Sequence, residues 1–346
     1  MRLPCAKPLA FIVTGLVFLK PGLTNIQFNN MALVATALVL GSGFNLSRIS
    51  RMWLEDKVVS TLSFFLSDAK FSVPELQLLY AKRIQQVYDI QQGYFLIDDT
   101  MKHHSKFCKW IHGVFVLFDH ALGTNLKATC IVFLYYSDGS LIKFPIAFRI
   151  YYQETSKMPW QRGKKRQYKA KYDLATQMLQ WALQVGFPKS IVLADSWFCM
   201  GPFIKDLKRL GLSYIIEVKS NYTVRVASKE PKLTPKGRLA KKQYDQVALP
   251  EFFKSLCSVA KYGFATDQKT GKVQKVLYHT KIKTLRMNSI VGKHRVVESI
   301  DPTKQTTKYL LTDQLTWEAG KILAIYNNRW VIEEFFRNAK QLTDME

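Results

Sequence analysis

The chain has 346 residues, 48% of them hydrophobic and 22% charged. It can therefore bury a core of one or two domains and is not a disordered polymer. Fifty basic residues against 26 acidic give a net charge of +24, which argues for a polyanionic partner, nucleic acid or an anionic membrane, over ordinary small-molecule metabolism. Five cysteines without a CxxC pair argue against a disulfide scaffold and fit a reducing compartment.

In chain order, Leu9–Leu19 and Met31–Gly41 are apolar runs. Both are shorter than the roughly 20 residues a spanning helix needs, and the Lys20-Pro21-Gly22 that follows the first offers no signal-peptide cleavage site. They read as buried helices in preference to membrane segments, which leaves nucleic acid as the favoured polyanion and no membrane partner as the expectation. Residues 1–92 read as mostly helical, with Ser72-Val-Pro-Glu75 opening a helix that runs toward Tyr88. After Gly93 come strands at Tyr94–Asp98, Gly113–Phe118, Ala128–Tyr136 and Leu141–Tyr152, the last two joined by the turn Ser137-Asp-Gly-Ser140. Tyr168–Val185 is an amphipathic helix, Ile191–Asp195 a buried-type strand, Met200–Leu210 a helix and Leu212–Lys219 a strand. This order predicts an α/β sheet with helices on its faces. A Lys-rich, β-rich insertion follows over 220–307, with strands near Val276–Ile282 and Ser289–Val297. Lys308–Thr312 returns to strand, and Thr316 caps one long final helix.

The charge is concentrated. Lys157–Lys171, Lys219–Lys242 and Lys272–Arg295 hold twenty-two basic residues and one acidic, a net +21 in 63 residues. Surfaces kept soluble by charge mix both signs, whereas one-signed runs suit DNA phosphates. In the first run Lys164, Lys165 and Arg166 are candidate DNA contacts.

Two predicted strands end in aspartate, Asp98 in IDDT and Asp195 in ADSW. Single aspartates commonly cap strands and turns. Two on one rim of a sheet share a proton or hold a divalent cation, and oxygen ligands suit Mg²⁺. On the final helix, 100° per residue puts Tyr326, Arg329, Glu333 and Lys340 within about 60° of one another. That stripe lies beside an apolar arc of Ile325, Ile332, Phe335, Phe336 and Ala339, and Glu334 points elsewhere. His103, His104, Cys108, His112 and His120 crowd one window in a spacing that matches no standard zinc pattern.

These residues form a familiar set. Tyr326-x2-Arg329-x3-Glu333-x6-Lys340, with IDDT at 97–100, LADSWF at 193–198, and Leu40–Ile49 with Phe64-Phe-Leu-Ser in the helical region, resembles the bacterial insertion-sequence transposases of the DDE class that carry a Tyr-Arg-Glu-Lys signature. The resemblance spans nearly the whole chain. It implies a ribonuclease H-like catalytic core split by the basic insertion, with boundaries at 1–92 (helical DNA-binding or accessory region), 93–219 (first part of the core), 220–307 (insertion) and 308–346 (final strand and catalytic helix). It implies that Asp98, Asp195 and Glu333 are the catalytic, metal-binding residues for two Mg²⁺ or Mn²⁺ ions, with Asp99 and Glu334 as rivals. Arg329 and Lys340 would contact phosphates, supported by Tyr326, and Trp317 reads either as a core residue or as a base-stacking one. The implied activity is cleavage of double-stranded DNA at element ends and strand transfer into a target, by a homodimer in a bacterial, nucleoid-associated cytoplasmic setting. The chain stops six residues after Lys340, where members of the group usually continue. This raises a second expectation, a truncated DNA-binding remnant that inhibits full-length transposase.

Overall fold

The computed structural model describes residues 7–41, 43, 45–53, 59–108, 111, 113–119, 122–153, 169–228, 244–266, 273–301 and 306–343. Lys164, Lys165, Arg166, His112 and His120 lie outside the described residues. The chain opens with helices α1 (Ala10–Leu16), α2 (Asn25–Val39), α3 (Leu46–Arg51), α4 (Val59–Ser67) and α5 (Val73–Val87). The first apolar run divides between α1 and a 3-10 turn at Val17–Gly22 that contains Pro21. The second forms the buried part of α2. Among the described residues no helix is long and apolar enough to cross a membrane. Start signals explain the helix ends. Thr24 Oγ1 accepts from the Gln27 N–H at 3.2 Å while the Gln27 side chain accepts from the Thr24 N–H at 2.9 Å, a reciprocal cap on α2. Ser72 Oγ accepts from the Glu75 N–H at 3.3 Å, and Pro74 sits in the first turn of α5, where a missing N–H costs nothing. Helices α2 to α4 close a small core on Val34, Ala37, Ile49 and Leu62.

Strands β1 (Tyr94–His103), β2 (Val114–Asp119), β3 (Thr124–Ser137) and β4 (Lys143–Ile150) come next. β3 pairs antiparallel with β1 on one edge and with β2 and then β4 on the other. The β3–β4 turn is set by two residues. Asp138 Oδ1 accepts from the N–H groups of Ser140 (2.7 Å) and Ile142 (3.0 Å), and Gly139 takes φ +82°, a backbone setting that favours glycine. Then follow α6 (Lys171–Val185), β5 (Ile191–Ala194), α7 (Gly201–Leu210) and β6 (Tyr214–Val218), with β5 parallel to β1 and β6 parallel to β5. The resulting order β4-β3-β1-β5-β6 is the mixed, ribonuclease H-like arrangement.

β7 (Thr223–Ala227) and β8 (Tyr244–Ala248) form a separate two-stranded sheet, followed by α8 (Leu249–Lys254). β9 (Val259–Thr266), β10 (Val273–Leu285), β11 (His294–Asp301) and β12 (Thr306–Thr312) are antiparallel neighbours, and β12 joins β6. Much of the basic segment therefore lengthens the central sheet, to ten strands among the described residues.

The sequence predicts one final helix capped by Thr316. The structure instead has α9 (Ala319–Tyr326), a 3-10 turn at Asn327–Arg329, and α10 (Trp330–Thr343), with Glu318 at the start. The reason is local. The Asn328 amide turns back onto the carbonyls of Ala324 (3.3 Å) and Ile325 (3.0 Å), the competition with backbone that makes asparagine a poor mid-helix residue.

Helices cover both faces of the sheet. On one face α5, α6 and α7 pack over Phe95, Ile97, Val192 and Tyr214. On the other, α9 and α10 pack over Leu96, Leu193, Ile215 and Leu310. Phe335 and Phe336 lock α10 to β3 through Phe133 (ring centroids 5.5 and 5.4 Å apart) and Tyr135 (5.2 Å).

Candidate active site

Strand alternation decides where the IDDT carboxylates point. Leu96 faces α9 and α10, so Asp98 shares their side of the sheet, whereas Asp99 points with Ile97 toward α6. Ile97 pairs with Ala194, and Ala194 with Ile216. The next residues on these three parallel strands are Asp98, Asp195 and Glu217, on chains ~5 Å apart. Asp195 follows the last residue of β5 and Glu217 is next to last in β6, at the usual site-bearing edge of such sheets, whereas β1 does not end at Asp98 as the sequence suggests but runs on beside β3 to His103. Asp98 Oδ1 accepts from the Asp99 N–H at 2.8 Å, and Asp195 Oδ1 accepts from the Trp197 N–H at 3.0 Å, so both side chains are held by backbone.

The end of α9, the 3-10 turn and the start of α10 bring the remaining groups, Tyr326, Arg329 and Glu333 in that order. Arg329 Nη1 donates to Asp98 Oδ2 at 2.8 Å, and Nη2 donates to Glu333 Oε1. The Arg329 side chain is 13% exposed, that of Asp98 14% and that of Glu333 30%, so this bridge is largely withdrawn from water. Tyr326 is buried beneath it. Its hydroxyl lies 3.3 Å from the Ala194 carbonyl and 3.2 Å from Glu217 Oε2, and its ring lies 5.9 Å from the guanidinium carbon. Lys308 Nζ is 3.5 Å from the same Glu217 oxygen.

Burial pushes the Asp98 carboxyl up to about 7; Arg329 opposes this, while Asp195 and Asp99 add to it. Asp195 is raised too, chiefly by burial and by Asp99, again with Arg329 opposing. Burial alone would disfavour charge on Arg329, but Tyr326, Asp98, Glu333 and Asp195 together hold it protonated. The rim carries more negative charge than one arginine relieves.

The remaining sequence candidates separate by face. Asp99 accepts from Lys171 at 2.9 Å and from the Cys130 thiol at 3.2 Å on the α6 side, with Lys171 also 4.8 Å from the Trp197 ring. Glu334 is exposed, away from the rim. Thr100, Glu333, Phe336, Arg337 and Lys340 line an open cleft of about 340 Å³, so Lys340 stands beside Glu333 at the surface. Trp317 is half-buried against the α9 core, with Lys321 Nζ 4.3 Å over its ring. His103 meets Asp119 at 2.7 Å, and His104 meets Thr129 at 3.1 Å. Sequence reasoning missed Glu217. The available signal was a lone glutamate inside the apolar strand YIIEV, in step with Ile215.

A family model described as DDE superfamily endonuclease matches residues 31–274, more than half of the chain. The chain belongs to that family. The match takes in Asp98 and Asp195 and ends before α9 and α10, so the contribution of Glu333 rests on the geometry above. No curated protein matches the chain. As a DDE-superfamily endonuclease it is expected to act on DNA, and enzymes of this superfamily usually employ divalent metals. Among the described residues no three His, Cys, Asp or Glu side chains converge as a ready metal-binding group. The donors nevertheless fit one. They are all carboxylate oxygens, the set that hard divalent cations take, and Arg329 already supplies positive charge between two of them.

Proposed function

We propose that this chain is a transposase that binds insertion-sequence ends and carries out metal-dependent DNA cleavage and strand transfer. One observation carries the reading. Two aspartates stand level on adjacent parallel strands, and a single arginine links the first of them to a glutamate on the last helix. Asp98, Asp195 and Glu333 would hold two Mg²⁺ or Mn²⁺ ions. When bound, such ions supply Lewis-acid activation of the attacking oxygen and charge neutralisation at the leaving one.

The chain's own groups do the rest. Backbone N–H groups fix the Asp98 and Asp195 carboxylates, which pre-sets their geometry for in-line displacement. Arg329 and Lys340 pair with phosphates of the bound end. Tyr326 serves them from below, by holding Glu217 and the backbone at Ala194. Lys164, Lys165 and Arg166, with the other basic runs, contact phosphates farther along the duplex. In the first reaction a water oxygen attacks phosphorus and the bond to the 3′-oxygen breaks, leaving a 3′-hydroxyl. In the second that hydroxyl attacks a target phosphodiester and displaces its 3′-oxygen. The division of labour follows the proposed boundaries. Residues 1–92 form a helical accessory region, 93–219 and 308–346 the catalytic core, and 220–307 the insertion, and two copies pair the DNA ends as a homodimer.

The test is strand transfer. A duplex carrying a pre-cut end should join to target DNA in the presence of Mg²⁺ or Mn²⁺. The same duplex ending in a dideoxynucleotide should give no joined product. Joining that survives without the 3′-hydroxyl would overturn the proposal.

A further inference from the structure

Resting on the reading of Asp98 and Glu333 as metal ligands, we infer that Arg329 is the resident cation of this rim and gives up its place only when DNA offers it a phosphate, so that the metal site is completed on the DNA. Metal and guanidinium compete for the same oxygens. Arg329 Nη1 takes Asp98 Oδ2 at 2.8 Å, and Nη2 takes Glu333 Oε1. A divalent ion shared by those two carboxylates needs each oxygen at ~2.1 Å if it is Mg²⁺, and the interposed guanidinium holds them apart. It also repels a second cation at close range in a site that is mostly buried.

Two further features give the arginine somewhere to go. It sits on the 3-10 turn between α9 and α10, so its side chain can be re-aimed without breaking either helix. The cleft lined by Thr100, Glu333, Phe336, Arg337 and Lys340 opens beside its glutamate partner and brings two more basic side chains to the place. A phosphate seated there presents paired oxygens to the guanidinium fork, a match as good as a carboxylate. Metal binding and DNA binding then strengthen one another by the same factor, as linkage requires.

The test measures Mn²⁺ binding by the full chain through the electron paramagnetic resonance signal of free Mn²⁺. Native protein is compared with Arg329→Gln, Arg329→Lys and Asp98→Asn, each with and without a short duplex, and the Mn²⁺ taken up by the duplex alone is subtracted. Without DNA, Arg329→Gln should bind Mn²⁺ at least tenfold more tightly than native. Arg329→Lys, which keeps the charge but cannot bridge both carboxylates, should fall between them. With duplex, native protein should bind Mn²⁺ at least tenfold more tightly than without it and so approach the Gln variant; the native comparison with and without duplex stands even if a variant folds poorly. Equal affinity in native and Gln proteins, or no effect of duplex on native protein, would overturn the inference while leaving the metal site intact. Absence of any Asp98-dependent Mn²⁺ binding would instead overturn the metal reading and this inference with it.

Discussion

Tyr326→Phe separates two roles for the buried tyrosine. The substitution removes one hydroxyl and keeps the ring, so it leaves no large cavity. The hydroxyl has one proton to share between two acceptors, the Ala194 carbonyl and Glu217 Oε2. A hydrogen bond to a neutral acceptor is worth about 1 kcal/mol, and one to a charged acceptor about 1.5–3 kcal/mol. Glu217 is a quarter exposed and keeps Lys308 at 3.5 Å, so water and lysine recover part of its loss. The expected cost is therefore at the low end, about 1–2 kcal/mol. Tyr326→Ala, which empties a buried aromatic site, should cost about 3–5 kcal/mol. Urea unfolding gives both numbers, and anisotropy of a labelled duplex gives DNA affinity. Tyr326→Phe should lower stability by that amount and leave affinity within about twofold. Unchanged stability together with a tenfold loss of DNA affinity would refute the reasoning, because the hydroxyl would then be serving DNA and not Glu217.

Further outcomes follow from other buried groups. Lys281 Nζ lies 3.1 Å from Glu298 Oε2 as an ion pair and donates its hydrogen bond to the Phe253 carbonyl at 2.7 Å; both side chains are nearly buried. Lys281→Met should destabilise by about 3–5 kcal/mol, and adding Glu298→Gln should restore much of it, both read by urea unfolding. Asp98 holds its proton up to about 7, so protons compete with metal below that value, and Mn²⁺ affinity without DNA should fall about tenfold per pH unit below 7 and level off above it. For folding the sign is opposite: stability linked to Asp98 is fully present below the unfolded value of 3.8 and is lost as pH rises through about 7. His294 is buried against the Tyr214 hydroxyl at 3.0 Å, and burial, then Lys208, depress it to about 4. Its contribution, on the order of 2–3 kcal/mol, is present above 6.5 and lost as pH falls toward 4. His294→Gln should therefore flatten that part of the acid-unfolding curve.

Much of this architecture is legible in the chain because its signals are local. Ser72 with Glu75, the Ser137–Ser140 turn, and the apolar strand that stops at Asp195 appear where periodicity and turn chemistry put them, while the strand expected to end at Asp98 starts as expected but runs on to His103 through its pairing with β3. Helical spacing also groups Arg329 with Glu333 and separates both from Glu334. What the sequence conceals is set by partners distant in the chain. The break between α9 and α10 depends on Asn328 capturing carbonyls that an ordinary helix would use. The hydroxyl of the buried Tyr326 finds its partner in Glu217, 109 residues away in sequence. The extension of the sheet by β9 to β11 depends on β12 docking along β6, a pairing that the lysine-rich composition of the segment masks.

The most direct test of the account is Mg²⁺-dependent nicking of a labelled duplex carrying the element's terminal repeat, by native protein and by Asp98→Asn, Asp195→Asn and Glu333→Gln. Native protein should cut at the repeat boundary, and all three variants should lose a hundredfold or more of that activity with DNA binding retained. Full cutting by any one of these variants would contradict the account.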